Sequence, residues 1–118
     1  MREFSFEKLE VYQDGLNFVD RVYMVTRQFP DREKFGLVDQ LRRAATSIPC
    51  NIAEGSSRTK RDFVRFLNIA LGSTYECLPL LEISRRRSYL DEAMFGTLVD
   101  DLHMISAKIN ALKRSLIK

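Results

Sequence analysis

The chain has no tryptophan, one histidine, two cysteines, three prolines and five glycines in 118 residues. Each shortage excludes something. Scarce glycine and proline argue against a turn-rich sandwich or barrel. A single histidine and the lack of any CxxC pair leave no zinc site to write. Cys50 and Cys77 read as free thiols of a reducing compartment. The opening Met1-Arg2-Glu3-Phe4-Ser5 lacks the apolar core of a signal peptide, and no apolar run approaches membrane-spanning length. The expectation is a soluble cytoplasmic protein with no membrane partner.

Enzyme signatures are missing as well. There is no GxSxG, no P-loop and no Rossmann glycine pattern. Gly55-Ser56-Ser57 reads as a helix stop and turn rather than a phosphate cradle. A di-iron bundle needs two Glu-x-x-His motifs, whereas this chain offers only Asp100-x-x-His103, with His103 away from its helix's apolar stripe. Cys50 has no evident base to make it a nucleophile. These readings predict a non-enzymatic protein with no cofactor and no metal.

What is present is helical periodicity. Apolar residues make up 45% of the chain and charged residues 30%, the balance of a globular domain. Four segments carry apolar side chains at three- and four-residue steps, over about 7–28, 37–54, 60–86 and 92–116, and nothing alternates with period two. The first has Leu9, Tyr12, Leu16, Val19, Tyr23 and Thr26 on one face, with Ser5 as N-cap and Pro30 beyond its end. The second has Leu41, Ala44, Ala45, Ile48 and Ile52, with a kink expected at Pro49 and a stop at Gly55. The third has Phe63, Phe66, Leu67, Ala70, Thr74, Cys77, Leu78 and Leu81, opened by Thr59 with Asp62 at capping-box spacing. Its mid-helix Gly72 is expected to permit close helix approach. The fourth has Met94, Phe95, Leu98, Leu102, Ile105, Ile109, Leu112 and Leu116, with Asp91 as N-cap. Short loops between long amphipathic helices predict one all-α domain over 1–118, an antiparallel up-down four-helix bundle.

Two segments carry a further apolar stripe. Val11, Phe18, Val22, Val25 and Phe29 lie about 120° from the Leu9–Tyr23 face on a wheel of about 100° per residue. Ile69, Leu80 and Ile83 lie roughly opposite Phe63–Ala70–Leu81. A wide core arc with scattered exposed apolar residues is one reading. The other, which we adopt as the expectation, is a subunit interface in a homo-oligomer.

The net charge of +3 is uneven. Residues 1–57 carry 8 basic and 9 acidic side chains, and residues 58–118 carry 11 and 7. Arg58, Arg61 and Arg65 share a face at the start of the third segment, flanked by Lys60 and diluted by Asp62. Arg85, Arg86 and Arg87 end the same segment, roughly 40 Å away at 1.5 Å per residue. These two patches are the candidate nucleic-acid contacts, the alternative being a solvated charged face. With few aromatics between the arginines, sequence-tolerant phosphate binding to RNA or DNA is expected rather than base stacking. Arg42, Arg43, Asn51, Glu54 and Glu76 form a candidate polar network that fixes register between helices or subunits. Asp39 is an alternative partner for one of the two arginines.

Several runs together resemble a known family. They are Phe6-Glu7-Lys8-Leu9-Glu10-Val11-Tyr12-Gln13, Phe35 to Ala45 with its Gln40-Leu41-Arg42-Arg43-Ala44 core, and Ser47-Ile48-Pro49-Cys50-Asn51-Ile52-Ala53-Glu54-Gly55. Phe66 to Ser73 and Glu76 complete the set. The sequence resembles the bacterial four-helix-bundle proteins encoded in intervening sequences of 23S ribosomal RNA genes, a family that includes the accessory variability proteins of diversity-generating retroelements. The resemblance implies a four-helix bundle assembled into a ring of five. For the retroelement branch it implies binding to a reverse transcriptase and to nucleic acid through a basic surface. Tyr12 stands where tryptophan is common, Cys50 where alanine is common, and the 85–87 run is more basic than the family pattern. The residues thus carry two functional expectations: an oligomeric nucleic-acid-binding protein, or a scaffold that docks a partner such as a reverse transcriptase.

Overall fold

A computed structural model of the chain describes residues 5–117, the side chain of Lys8 excepted. Helix α1 spans Glu10–Thr26, α2 Leu37–Ser56, α3 Lys60–Arg86 and α4 Glu92–Leu116. Short 3-10 turns at Ser5–Lys8 and Asp31–Glu33 precede α1 and α2. Among the described residues there is no strand. Each helix packs on its sequence neighbours, α1 closes against α4, and the backbones of the diagonal pairs stay apart. The long axis measures 44 Å.

The pairings fix the antiparallel order. Gly15 of α1 meets Pro49 of α2, and Thr26 meets Arg42. Ser47 of α2 meets Ser73 of α3, and Gly55 meets Phe63 and Phe66. Arg85 of α3 reaches Glu92 and Phe95 of α4. Lys108 of α4 reaches Glu10 and Asp14 of α1, each at 2.7 Å. The result is the up-down four-helix bundle its periodicity predicts.

Two caps form as read. The Thr59 hydroxyl accepts from the Asp62 amide at 3.2 Å, and the Asp91 carboxylate accepts from the Met94 amide at 2.7 Å. Each satisfies an N–H that the helix cannot. Ser5 does not cap α1: it opens the 3-10 turn, and α1 begins after Leu9 with no side-chain cap. Helices α2 and α3 run without a break through Pro49 and Pro79.

The core is one cluster drawn from all four helices, with Leu41, Ile48, Ile52, Leu67, Leu81, Leu98, Leu102, Ile105 and Ile109 almost fully buried. Burying each such side chain stabilises the fold by about 1.5–3 kcal/mol relative to leaving it exposed. Helix α1 corrects the sequence reading. Val11, Phe18, Val22 and Phe29, expected at a subunit interface, are buried in this core, and Val25 is half-buried. Leu16 and Tyr23, expected in the core, are exposed. The contact of Gly15 with Pro49 sets this rotation: a Cβ on Gly15 would lie 3.3 Å from that of Pro49. Only the glycine side of α1 lets the backbones come so close, and Val11, Phe18 and Val22 flank that side.

The glycines of the other helices also exchange their expected roles. Gly55 does not end α2 in a left-handed turn; the helix continues to Ser56 and no described glycine has positive φ. A Cβ on Gly55 would stand 2.6 Å from Phe66 Cβ and 3.0 Å from Phe63 Cδ1, so glycine is there for close approach of α3. Gly72, expected to serve that purpose, faces open space.

Candidate nucleic-acid interface and subunit surfaces

The α2–α3 turn gathers Arg58, Lys60, Arg61 and Arg65. Close packing at Gly55 seats Phe66 against the end of α2 and leaves its ring half-buried. Two guanidiniums then lie over that ring, Arg58 at 5.0 Å and Arg65 at 4.7 Å from its centroid. A cation above an aromatic face is held by the ring's quadrupole, so both side chains are ordered without being neutralised. Their carboxylate contacts are loose: Arg58 to Glu54 at 3.5 Å and Arg65 to Asp62 at 3.9 Å. Lys60 and Arg61 have no ion-pair partner among the described residues, and Arg61 and Arg65 line an open depression with Asn68. Four cations therefore face two carboxylates at a solvent-exposed corner. Phe66 escaped the sequence reading, which counted it only as core; its position directly after Arg65 and two turns beyond Arg58 was the available signal.

The other end of α3 is different. Arg85 is clamped between Glu82 and Glu92, the latter at 3.0 Å, and stacks 5.0 Å from Phe95. Its Nε is buried without a partner. Hydrogen bonds to Glu92 and then Glu82 raise its pKa, while the hydrogen bond from Arg85 holds the Glu82 carboxyl below its usual value. Arg86 shares Glu82 at 3.3 Å, and Arg87 is exposed at the helix end. Arg85 is thus committed to the α3–α4 junction and is not a free phosphate contact.

The expected polar network comes apart into pieces. Asn51 donates to the Ser47 carbonyl and hydroxyl at 2.8 and 2.9 Å, and Ser73 donates to the Ser47 hydroxyl at 2.8 Å. This Ser47–Asn51–Ser73 group ties α2 to α3; neither serine was read as a polar contact from the sequence. Arg43 pairs with Asp39 on its own helix, Glu54 pairs with Arg58, and Arg42 bonds Thr26 on α1. Glu76 is exposed and outside the group. Cys50 is exposed and Cys77 buried, both unbridged; burial first, then the charge of Glu76, pushes the Cys77 thiol up to about 12. No group of three metal-ligating side chains occurs among the described residues, and no described helix is long and apolar enough to cross a membrane.

Apolar surface remains on two faces. Leu16 and Tyr23 are exposed on α1, and Ile69, Tyr75 and Ile83 on α3. Leu80, expected beside Ile69 and Ile83, is buried at 8% exposure, because it stands three and four residues from buried Cys77 and Ser84 on the core side of α3. Gly72 lies on the α3 face between the two exposed isoleucines.

Fold and surface define an antiparallel four-helix-bundle protein with one basic corner and apolar side chains left exposed on two helices. A family model described as 23S rRNA-intervening sequence protein matches residues 7–111, nearly the whole chain. The chain belongs to that family. A solved structure from Bacteroides thetaiotaomicron, described as a protein of unknown function from the S23 ribosomal protein family, superposes with a TM-score of 0.79. It is 26% identical, with 87% of this chain and 97% of that one covered. No curated protein matches the chain.

Proposed function

We propose that the protein is a non-enzymatic homo-oligomer that binds RNA or DNA backbones through the Arg58–Arg65 corner. The observation that carries this reading is the Phe66 seat: two arginines ordered on one ring, beside an unpaired lysine and arginine. Phosphate contacts need charge and reach more than base readout. Repetition of the corner around an assembly multiplies the field, which a single subunit of net charge +3 lacks.

Two apolar faces support the assembly. Leu16 and Tyr23 lie on α1, and Ile69 and Ile83 lie on the diagonal helix α3. Contact between unlike faces is heterologous, and a heterologous contact makes a ring when its rotation closes; five subunits is the number the family resemblance implies. Gly72 fits the same reading. A mid-helix glycine costs about 1 kcal/mol against alanine, and nothing in its own chain uses the space. Static light scattering after size exclusion tests assembly: a mass well above 13.7 kDa is expected, falling on Gly72→Glu or Leu16→Glu, and a monomer at micromolar concentration overturns it. Filter binding to RNA and DNA at low salt tests the corner, and no affinity for either overturns it.

One observation favours a second reading, a scaffold that docks a partner such as a reverse transcriptase. Phe35, just before α2, is 89% exposed, a large apolar group that the bundle itself does not use.

A further inference from the structure

We infer that the junction of α1 with α2 holds a binding site for a dianionic phosphate group. The residues that make it lie at the opposite end of α2 from the Arg58 corner, about 24 Å away at 1.5 Å per residue, so neither site depends on the other. A cavity of about 220 Å³ opens here, lined among others by Thr26, Arg27, Asp31, Lys34 and Arg42. At roughly 30 Å³ per water, it has room for a tetrahedral oxyanion with part of its hydration.

Arg42 is the centre of the site. It is half-buried and makes no ion pair among the described residues. Its Nε donates to the Thr26 hydroxyl at 3.0 Å, and its guanidinium lies 4.3 Å from the Tyr23 ring centroid. The Thr26 hydroxyl in turn donates to the Val22 carbonyl at 2.7 Å. Position and plane of the guanidinium are therefore set by neutral partners through Nε and the ring face. Both Nη groups are left over, and they are the pair that forks onto two oxygens of a phosphate.

The surroundings match the ligand's charge. Arg27 and Lys34 line the same cavity, and neither has a carboxylate partner among the described residues. Asp31 is the one acidic group in the lining. Three cations against one carboxylate leave a net +2, which suits a phosphate monoester or free phosphate dianion better than a singly charged phosphodiester. The neighbouring cavity, between α1 and the start of α4, has Met24, Gln28 and Met94 in its lining with Asp91 and no cation, so of these two hollows only the one at Arg42 suits an anion.

Two-dimensional NMR of the full-length chain titrated with inorganic phosphate tests the site. The largest and earliest-saturating shifts should fall on the backbone amides of residues 26–42. Arg42→Gln should weaken binding roughly tenfold or more, the loss of a charge-assisted pair. Arg27→Gln with Lys34→Gln, both at exposed positions, should weaken it without any risk to the core, and Arg61→Gln should leave it unchanged. A short 5′-phosphorylated RNA compared with its 5′-hydroxyl form separates the sources. A gain from the 5′-phosphate assigns the end of a nucleic-acid chain; binding of inorganic phosphate alone assigns a small free ligand. No shift in this segment, or shifts that survive Arg27→Gln with Lys34→Gln unchanged, would overturn the site.

Discussion

The two ends of α3 carry the same residue type in opposite roles. At its start, Arg58 and Arg65 rest on Phe66 and meet carboxylates only at 3.5 and 3.9 Å. At its end, Arg85 is enclosed by Glu82, Glu92 and Phe95. The difference is the partner. An aromatic face orders a guanidinium and leaves its charge to act outward; paired carboxylates order it and cancel the charge. A run of arginines in sequence therefore says nothing about available charge until the neighbouring helix is placed.

The largest effect that bears on this contrast is expected at Gly55. A Cβ there meets Phe66 Cβ at 2.6 Å, an atom fixed to the α3 backbone and unable to swing aside. Gly55→Ala should lower unfolding free energy by about 1–3 kcal/mol, the usual range for overpacking, and loosen the seat of both arginines. Urea unfolding measures the first and nucleic-acid affinity the second. If stability is unchanged, the close α2–α3 approach is not what positions the basic corner.

Next in size is the direct comparison of charges. Replacing Arg58, Arg61 and Arg65 by glutamine should lower affinity for single strands more than tenfold at low salt. It should also reduce the salt slope by about two, at roughly 0.7 per lost phosphate contact. Arg85→Gln should leave the slope unchanged while lowering thermal stability, since its charge is already matched. Equal slopes for the two variants would remove the distinction between the ends.

Much of this architecture was legible in the residues. Helices α3 and α4 begin where Thr59 and Asp91 announce them, because a cap is a local interaction between residues three apart. The rotation of α1 was not legible. Its two apolar stripes are similar in strength, and only the Gly15–Pro49 contact, between residues on different helices, selects Val11–Phe18–Val22 as the buried one. The same applies to the candidate site. Arg58, Arg61 and Arg65 could be grouped from spacing, whereas the roles of Phe66, Ser47 and Ser73 and the capture of Arg85 depend on which helices meet.

A smaller effect is expected at the link beyond the closed end. Ser88 has φ of 63°, the left-handed region, directly after the α3 C-cap Arg87. The Tyr89 amide bonds the Ser84 carbonyl and the Ser88 amide bonds the Arg85 carbonyl, each at 3.0 Å, the pair of bonds of a Schellman turn. Glycine is the usual residue there because a Cβ is strained in this conformation. Ser88→Gly should therefore raise stability by up to about 1 kcal/mol, read as a higher melting temperature with unchanged binding. A loss of stability would mean that the serine hydroxyl holds the junction that encloses Arg85.

The smallest effect separates the ends by pH. The hydrogen bond from Arg85 lowers the Glu82 carboxyl below its usual value, so the folded state binds that proton less readily than the unfolded chain. Its contribution is complete above the unfolded carboxylate range, near about 4.3 for glutamate. It is lost as pH falls through the lower folded value. The pair of Glu10 with Lys108, on the α1–α4 seam, titrates in the same direction, with Glu10 lowered by its hydrogen bond from Lys108. The useful quantity is thus the difference between the native chain and Arg85→Gln. Melting temperatures should differ at neutral pH and converge as pH falls below the carboxylate range. The Arg58, Arg61 and Arg65 variant should keep its offset from the native chain across the same range, because the replaced arginines meet carboxylates only at 3.5 and 3.9 Å. A constant offset between the native chain and Arg85→Gln from neutral pH into acid would mean that Arg85 stabilises the junction through its stacking on Phe95 rather than through its two glutamates.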